Sequence, residues 1–114
     1  MVVQKLSDRE VDRVFRALAD ATRRDIFERV IVDGLSVSTL AQDYDMSFAA
    51  VQKHVSVLER AALVTKERRG REQIVRGNLS TMRRAAALLD DFEAVWITRA
   101  TKIAEILGEK GSAS

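Results

Sequence analysis

The chain has 114 residues, 46% hydrophobic and 32% charged, with a formal net charge of +2, the size and make-up of one folded domain rather than a disordered segment. It has no cysteine and one histidine, His54, which excludes disulfides, thiolate metal sites, Cys nucleophiles and multi-histidine clusters. No apolar run approaches the roughly 18 residues of a membrane span, and the N-terminal apolar stretch is too short for a secretory signal, so the expected location is the cytoplasm, with no membrane partner.

The sequence has no proline, no low-complexity linker and no repeat, and is expected to form one domain over 1–114. A first helix is predicted over 8–18: Ser7 and Glu10 form a capping box, and Val11, Val14, Phe15 and Leu18 share a face. A second is predicted over 22–32, with Asp20 as cap, Ile26, Phe27, Val30 and Ile31 as its apolar stripe, and Gly34 as a stop. A short third helix over 37–44 is capped by Ser36. The connection Asp45-Met46 leads to Ser47, which caps a fourth helix running to about residue 61.

Residues 63–68 and 73–77 read as two strands joined by Arg69-Gly70-Arg71, a hairpin signal. Ser80 is expected to cap a long last helix over 80–107, with Gly108, Gly111 and the Ser/Ala tail fraying. The order α-α-α-α-β-β-α describes a winged helix-turn-helix, mainly α with a small β-hairpin. A core over 8–80 is followed by a terminal helix over 80–107. A domain this small buries a modest share of its surface, so a partner chain is expected to complete the core.

The charge is unevenly placed. Residues 1–46 carry seven Lys/Arg and nine Asp/Glu, residues 47–77 seven and three, and residues 78–114 five of each. The positive field therefore sits in the middle third, where a polyanion can be met.

In the fourth helix, with Val51 set inward and 100° per residue, Val55 and Leu58 fall within about 40° of it. Ala49, Lys53, Ser56 and Arg60 point the opposite way, with Gln52 and His54 on the flanks. The outer face is expected to carry small and polar groups and no large apolar side chain. Such a face can enter a DNA major groove: Ala49 and Ala50 permit close approach, Gln52, Lys53, His54 and Ser56 offer base-edge partners, and the helix start at Ser47 suits a phosphate. An ordinary amphipathic surface helix would have the same periodicity; the short helix and turn before it, and the basic hairpin after it, favour the groove reading. The hairpin 66–72 has four basic and two acidic residues. Arg68, Arg69 and Arg71 can lie along a DNA backbone or enter a minor groove, or form a solvated tip. Gly70 permits the positive φ of a tight turn.

The runs FRALADATRR (15–24), LSVSTLA (35–41) and MSFAAVQKHVSVLERAALV (46–64), followed by the RRGR hairpin, resemble the ArsR family of bacterial winged-helix repressors over roughly residues 10–100. The resemblance implies a homodimer on a palindromic double-stranded DNA operator, repressing its own promoter in many members. Ala21 stands where proline is frequent. Ala62 stands where glycine is common, and a more tightly packed turn is expected there. The best-known metal site of the family is Cys-Val-Cys on the third helix; here those positions are Ser36, Val37 and Ser38. On the last helix Asp90, Asp91 and Glu93 occur without a histidine and read as a solvated face. The resemblance therefore points to the metal-independent branch, with no metal site and no cofactor.

Along the last helix Ala85, Leu88, Leu89, Phe92, Trp96, Ile103 and Leu107 recur at spacings of three and four. The stripe is longer than a small winged domain can cover. It is expected to be shared between the core, against the first helix, and a dimer interface made by Val14, Leu89, Phe92, Trp96 and Ile103. An apolar effector held in a dimer cleft near Phe92 and Trp96 remains open as an alternative. An enzyme is not expected, because no nucleophile–base pair or Gly-rich phosphate loop is present.

Overall fold

A computed structural model describes residues 5–111. In chain order its elements are α1 (Asp8–Leu18), α2 (Ala21–Val32), β1 (Leu35–Ser36), α3 (Val37–Gln42), α4 (Phe48–Arg60), β2 (Val64–Arg69), β3 (Glu72–Gly77) and α5 (Leu79–Gly111). Polar caps set the helix starts. Glu10 N donates to Ser7 Oγ at 3.2 Å and Ser7 N to Glu10 Oε1 at 2.8 Å, closing the expected capping box. Asp20 and Ser47 cap α2 and α4 by accepting from Arg23 N at 3.0 Å and Ala50 N at 3.1 Å. Before α5 the cap is Asn78, whose Oδ1 accepts from Ser80 N at 3.2 Å, rather than Ser80. Helix α3 ends at Gln42, short of the expected residue 44, where Asp43 N turns back to Leu40 O.

A strand absent from the sequence reading joins the hairpin. Leu35 and Ser36 pair antiparallel with Val75 and Ile74, so the sheet has three strands in the order β1-β3-β2. Two residues carry no measurable alternation; their extended shape comes from Ser36, which must stay extended to cap α3 through Thr39 N at 3.0 Å. At the other end of β3, a Cβ on Gly77 would stand 2.7 Å from Ile31 Cγ1 and 3.0 Å from Ile31 Cα. Only glycine lets the sheet come this close to α2.

The core gathers Ile26, Phe27 and Val30 of α2, Leu40 of α3, the Val51, Val55 and Leu58 stripe of α4, and Leu63, Val64 and Val75 of the sheet. Val14 belongs to it as well. At 1% exposure its side chain has no surface left for a partner chain, so it packs the core rather than a dimer interface. The apolar face of α1 was legible; what covers it was not.

Helix α5 touches this core through Met82 and Ala85, and Arg84 approaches Glu10 of α1 at 3.9 Å. It then leaves: every residue from 89 to 108 is exposed. The helix runs through Gly108 without fraying there; the tail beyond 111 lies outside the described residues. This projection stretches the molecule to 72 × 35 × 24 Å. No described helix is long and apolar enough to cross a membrane.

Helix α4 ends in a Schellman motif: Leu63 N donates to Leu58 O at 3.0 Å and Ala62 N to Glu59 O at 2.9 Å. The motif needs a left-handed residue, and Ala62 supplies it at φ +59°. The expected difference at this turn is therefore backbone strain rather than tighter packing. An alanine Cβ in this region costs roughly 1–2 kcal/mol, of which glycine's extra unfolded-state freedom returns part. Ala62→Gly is expected to raise unfolding free energy by about 0.5–1 kcal/mol in denaturant titration; a lower midpoint would contradict the strain.

Candidate nucleic-acid interface

The aliphatic stripe of α4 is fully buried, so the helix presents its remaining faces outward in a fixed rotation. Ser47, Ala49, Gln52 and Lys53 are exposed, while His54 and Ser56 are half-buried. Gln52 and His54 are two residues apart and so lie about 160° apart around the axis. The structure gives them different surroundings. Gln52 lines a groove of about 170 Å³ with Ser38 of α3 and with Arg68, Arg71 and Gln73 of the hairpin. His54 lies against the α1–α2 junction instead.

At that junction one arginine organises three elements. Arg23 Nε donates to Ala17 O at 2.7 Å and Nη2 to Arg16 O at 3.0 Å, satisfying carbonyls at the end of α1. Its Nη1 donates to His54 Nδ1 at 3.3 Å. A guanidinium can only donate, so Nδ1 accepts and the imidazole proton resides on Nε2. The Arg23–His54 pair, 31 residues apart in sequence, joins α4 to α2. No helical pattern could have revealed it.

The hairpin divides its arginines. Strands β2 and β3 pair from Val64↔Gly77 to Arg69↔Glu72, leaving a two-residue turn, Gly70-Arg71, shorter than the loop expected between residues 68 and 73. Gly70 takes φ +61°, as the first central residue of a type II′ turn does. Side chains alternate along β2. Arg68 faces the groove beside α4, whereas Arg69 shares its face with Glu67, 3.7 Å away, which also approaches Arg76 at 3.7 Å. Lys66 reaches Glu59 of α4 at 3.4 Å and ties the hairpin to that helix.

One feature of α4 differs from the sequence reading. Phe48, its first residue, is 49% exposed and stands in the same groove as Gln52. The outer surface of α4 does carry a large apolar side chain. The wheel drawn from Val51 places Phe48 about 60° from the core direction, where an aromatic residue reads as core unless its true neighbours are known. Ser36, at the first of the two positions aligned with metal-binding cysteines, is buried and its hydroxyl caps α3; Ser38 is exposed. Among the described residues no group of three or more His, Cys, Asp or Glu comes together.

A helix-turn-helix domain family matches residues 18–67. The HTH-type transcriptional regulator Rv2034 of Mycobacterium tuberculosis is 35% identical over 103 residues, 90% of this chain and 94% of that protein. An ArsR-like transcriptional regulator from Rhodococcus sp. RHA1 superposes with a TM-score of 0.77 at 32% identity, covering 86% of this chain and 92% of the other. The chain belongs to the ArsR family of winged helix-turn-helix transcriptional regulators. A homodimeric winged helix-turn-helix DNA-binding domain from Mycobacterium bovis shares the fold with a TM-score of 0.61 at 24% identity, covering 79% of this chain and 90% of the other.

The charge that fixes this regulator's second helix is titratable. Asp20 is held below the ordinary aspartate range, chiefly by the hydrogen bond from Arg23 N; burial opposes this, and the Arg23 charge adds a smaller lowering effect. A lowered carboxylate pKa contributes stability above the unfolded value, and that contribution is lost as pH falls through the folded value. The wild-type chain is expected to lose this contribution below about pH 4. Asp20→Asn keeps the cap and removes the titration, so its stability should vary less between about pH 5 and 3 in chemical denaturation. Parallel curves for the two proteins would contradict the assignment.

Proposed function

We propose that this regulator acts in the cytoplasm as a homodimeric repressor. In this reading it binds a palindromic operator, with residues 8–80 as the DNA-binding core and 80–107 as the dimerisation helix. The observation that carries the reading is the groove lined by Gln52 of α4 and by Arg68, Arg71 and Glu72 of the hairpin: a hydrogen-bonding amide beside two cations and one carboxylate, on a helix whose other face is locked into the core. Gln52, Lys53 and Ser56 are the base-facing side chains, with Ala49 allowing close approach and Ser47 meeting a phosphate. Arg68, Arg69 and Arg71 meet the backbone. His54, bonded to Arg23, sets the attitude of α4 and offers Nε2–H to the DNA. The protein works by occupancy and not by a catalytic step.

The dimer reading rests on α5. Leu89, Phe92, Trp96, Ile103 and Leu107 of the expected stripe are all more than half exposed, and Val95, Ile97 and Ile106 extend the apolar surface beyond it. A surface of this kind marks an interface, and the M. bovis neighbour is homodimeric. A two-fold axis through α5 would place the two α4 helices one DNA turn apart, about 34 Å. Any apolar effector would enter where pairing builds a cleft around Phe92 and Trp96.

Selection of duplexes from a random pool, followed by fluorescence anisotropy, tests the DNA reading. Gln52→Ala should weaken binding to the selected duplex by about tenfold or more and leave scrambled DNA nearly unchanged; equal losses on both would overturn base reading. Arg68→Ala and Arg71→Ala should each lower the salt slope by about one charge per protomer, and Arg69→Ala, beside Glu67, by less. For the dimer, Phe92→Ala or Trp96→Ala should weaken self-association by more than about tenfold in light scattering across a dilution series. A variant that remains dimeric at the lowest concentration would remove these side chains from the interface.

A further inference from the structure

Most of the exposed large apolar side chains lie on α5, on the surface proposed to pair. Phe48 does not. It is the first residue of α4, half exposed, and it lines the groove together with Val37, Ser38, Gln52 and the hairpin residues Arg68, Arg71, Glu72 and Gln73. Single exposed apolar residues are ordinary, and Val32 at the end of α2 is one. Phe48 differs in standing inside the concave surface where DNA is proposed to bind.

A phenyl ring there has a restricted choice of partners. The face of the ring carries negative charge density and gains nothing from a phosphate oxygen. Base edges in the major groove are mostly hydrogen-bonding groups, which a phenyl ring cannot satisfy. The apolar group displayed there is the 5-methyl of thymine, and phenylalanine is among the side chains that contact it. Phe48 and Gln52 are four residues apart, one turn along one flank, a rise of about 6 Å. Successive bases rise about 3.4 Å, so the two side chains address positions one or two base pairs apart.

We propose that Phe48 is a specificity-determining residue that reads the 5-methyl of one thymine in each half-site, one or two base pairs from the base addressed by Gln52. The proposal rests on the base-reading role of α4 given above. It adds a requirement that hydrogen bonding from α4 does not impose: a methyl group at a fixed place.

The test uses the full chain and duplexes it selects from a random pool. Each thymine is replaced singly by deoxyuridine, which removes the methyl and keeps every hydrogen-bonding group. Wild-type binding should weaken about fourfold for one thymine in each half-site, the value of one buried methyl. F48A should bind the thymine and deoxyuridine duplexes equally, and F48L should keep part of the discrimination. Two results overturn the proposal while leaving base reading intact: a selected consensus with no methyl-sensitive thymine, or F48A that still discriminates. Equal affinity for selected and scrambled duplexes would overturn both. Should F48A fail to fold, the wild-type scan and F48L decide.

Discussion

Ser36 belongs to two structures at once, and the relation between hairpin and helices depends on it. As the second residue of β1 it pairs with Ile74 of β3. As the residue before α3 its hydroxyl accepts from Thr39 N at 3.0 Å and donates to Thr39 Oγ1 at 2.8 Å. Both roles need the same extended backbone, so neither works against the other. The result is that β3, the central strand, is attached directly to the start of the helix pair. From there the Lys66–Glu59 contact and the shared burial of Val55, Leu58, Val64 and Val75 hold the hairpin beside α4. The groove containing Gln52, Arg68 and Arg71 is a consequence of that attachment. A buried seryl side chain loses favourable hydration unless its hydrogen bonds are made; here they are made, and no buried side-chain polar atom among the described residues lacks a partner.

The rotation of α4 about its own axis is set separately, by two forces of different reach. Burial of Val51, Val55 and Leu58 fixes which face points inward, at about 1.5–3 kcal/mol for each side chain. That leaves the tilt of the helix less determined, since aliphatic contacts are not directional. The Arg23–His54 hydrogen bond is directional, and it acts on the flank opposite Gln52. Arg23 is itself held by the carbonyls of Ala17 and Arg16, so the end of α1, the start of α2 and the middle of α4 share one planar guanidinium. Lysine could not hold the same three groups, because its ammonium lacks the fork.

These two kinds of force also explain what could be read in the sequence. Local and periodic features were legible: the capping box at Ser7 and Glu10, the caps at Asp20 and Ser47, and the buried stripe of α4. So was the class of the fold, because α-α-α-α-β-β-α follows from those features with the hairpin signal at Gly70. What was not legible depends on contacts between residues distant in the chain. β1 is too short for alternation and exists because β3 is beside it. Val14 looked available to a partner because an apolar face does not say what covers it. Phe48 was assigned to neither face because its angle on the helix is intermediate, and the fold places it in the groove with Gln52 and the hairpin. The division of the hairpin arginines between two faces required the register, which the turn length fixes: the loop expected between residues 68 and 73 shortened to two residues, and the alternation settled with Arg68 toward α4.

The projecting half of α5 imposes the remaining constraint. From 89 to 108 every residue of the helix is exposed, and most helical stability in proteins comes from packing an amphipathic face rather than from propensity. Its order therefore depends on the surface that covers it, and in the proposed homodimer that surface is the same stripe on a second copy. Folding of the arm and pairing of the chains are then one equilibrium, dependent on protein concentration. This matters for reading DNA. A bidentate amide contact discriminates by about 1–3 kcal/mol, too little to distinguish an operator among the many competing sites of a genome. Two copies held by a rigid arm apply each discrimination twice. In the proposed reading the side chains that make the chain selective are on α4, while the factor by which they would select depends on α5, whose exposed Phe92 and Trp96 lie outside the core that positions Gln52.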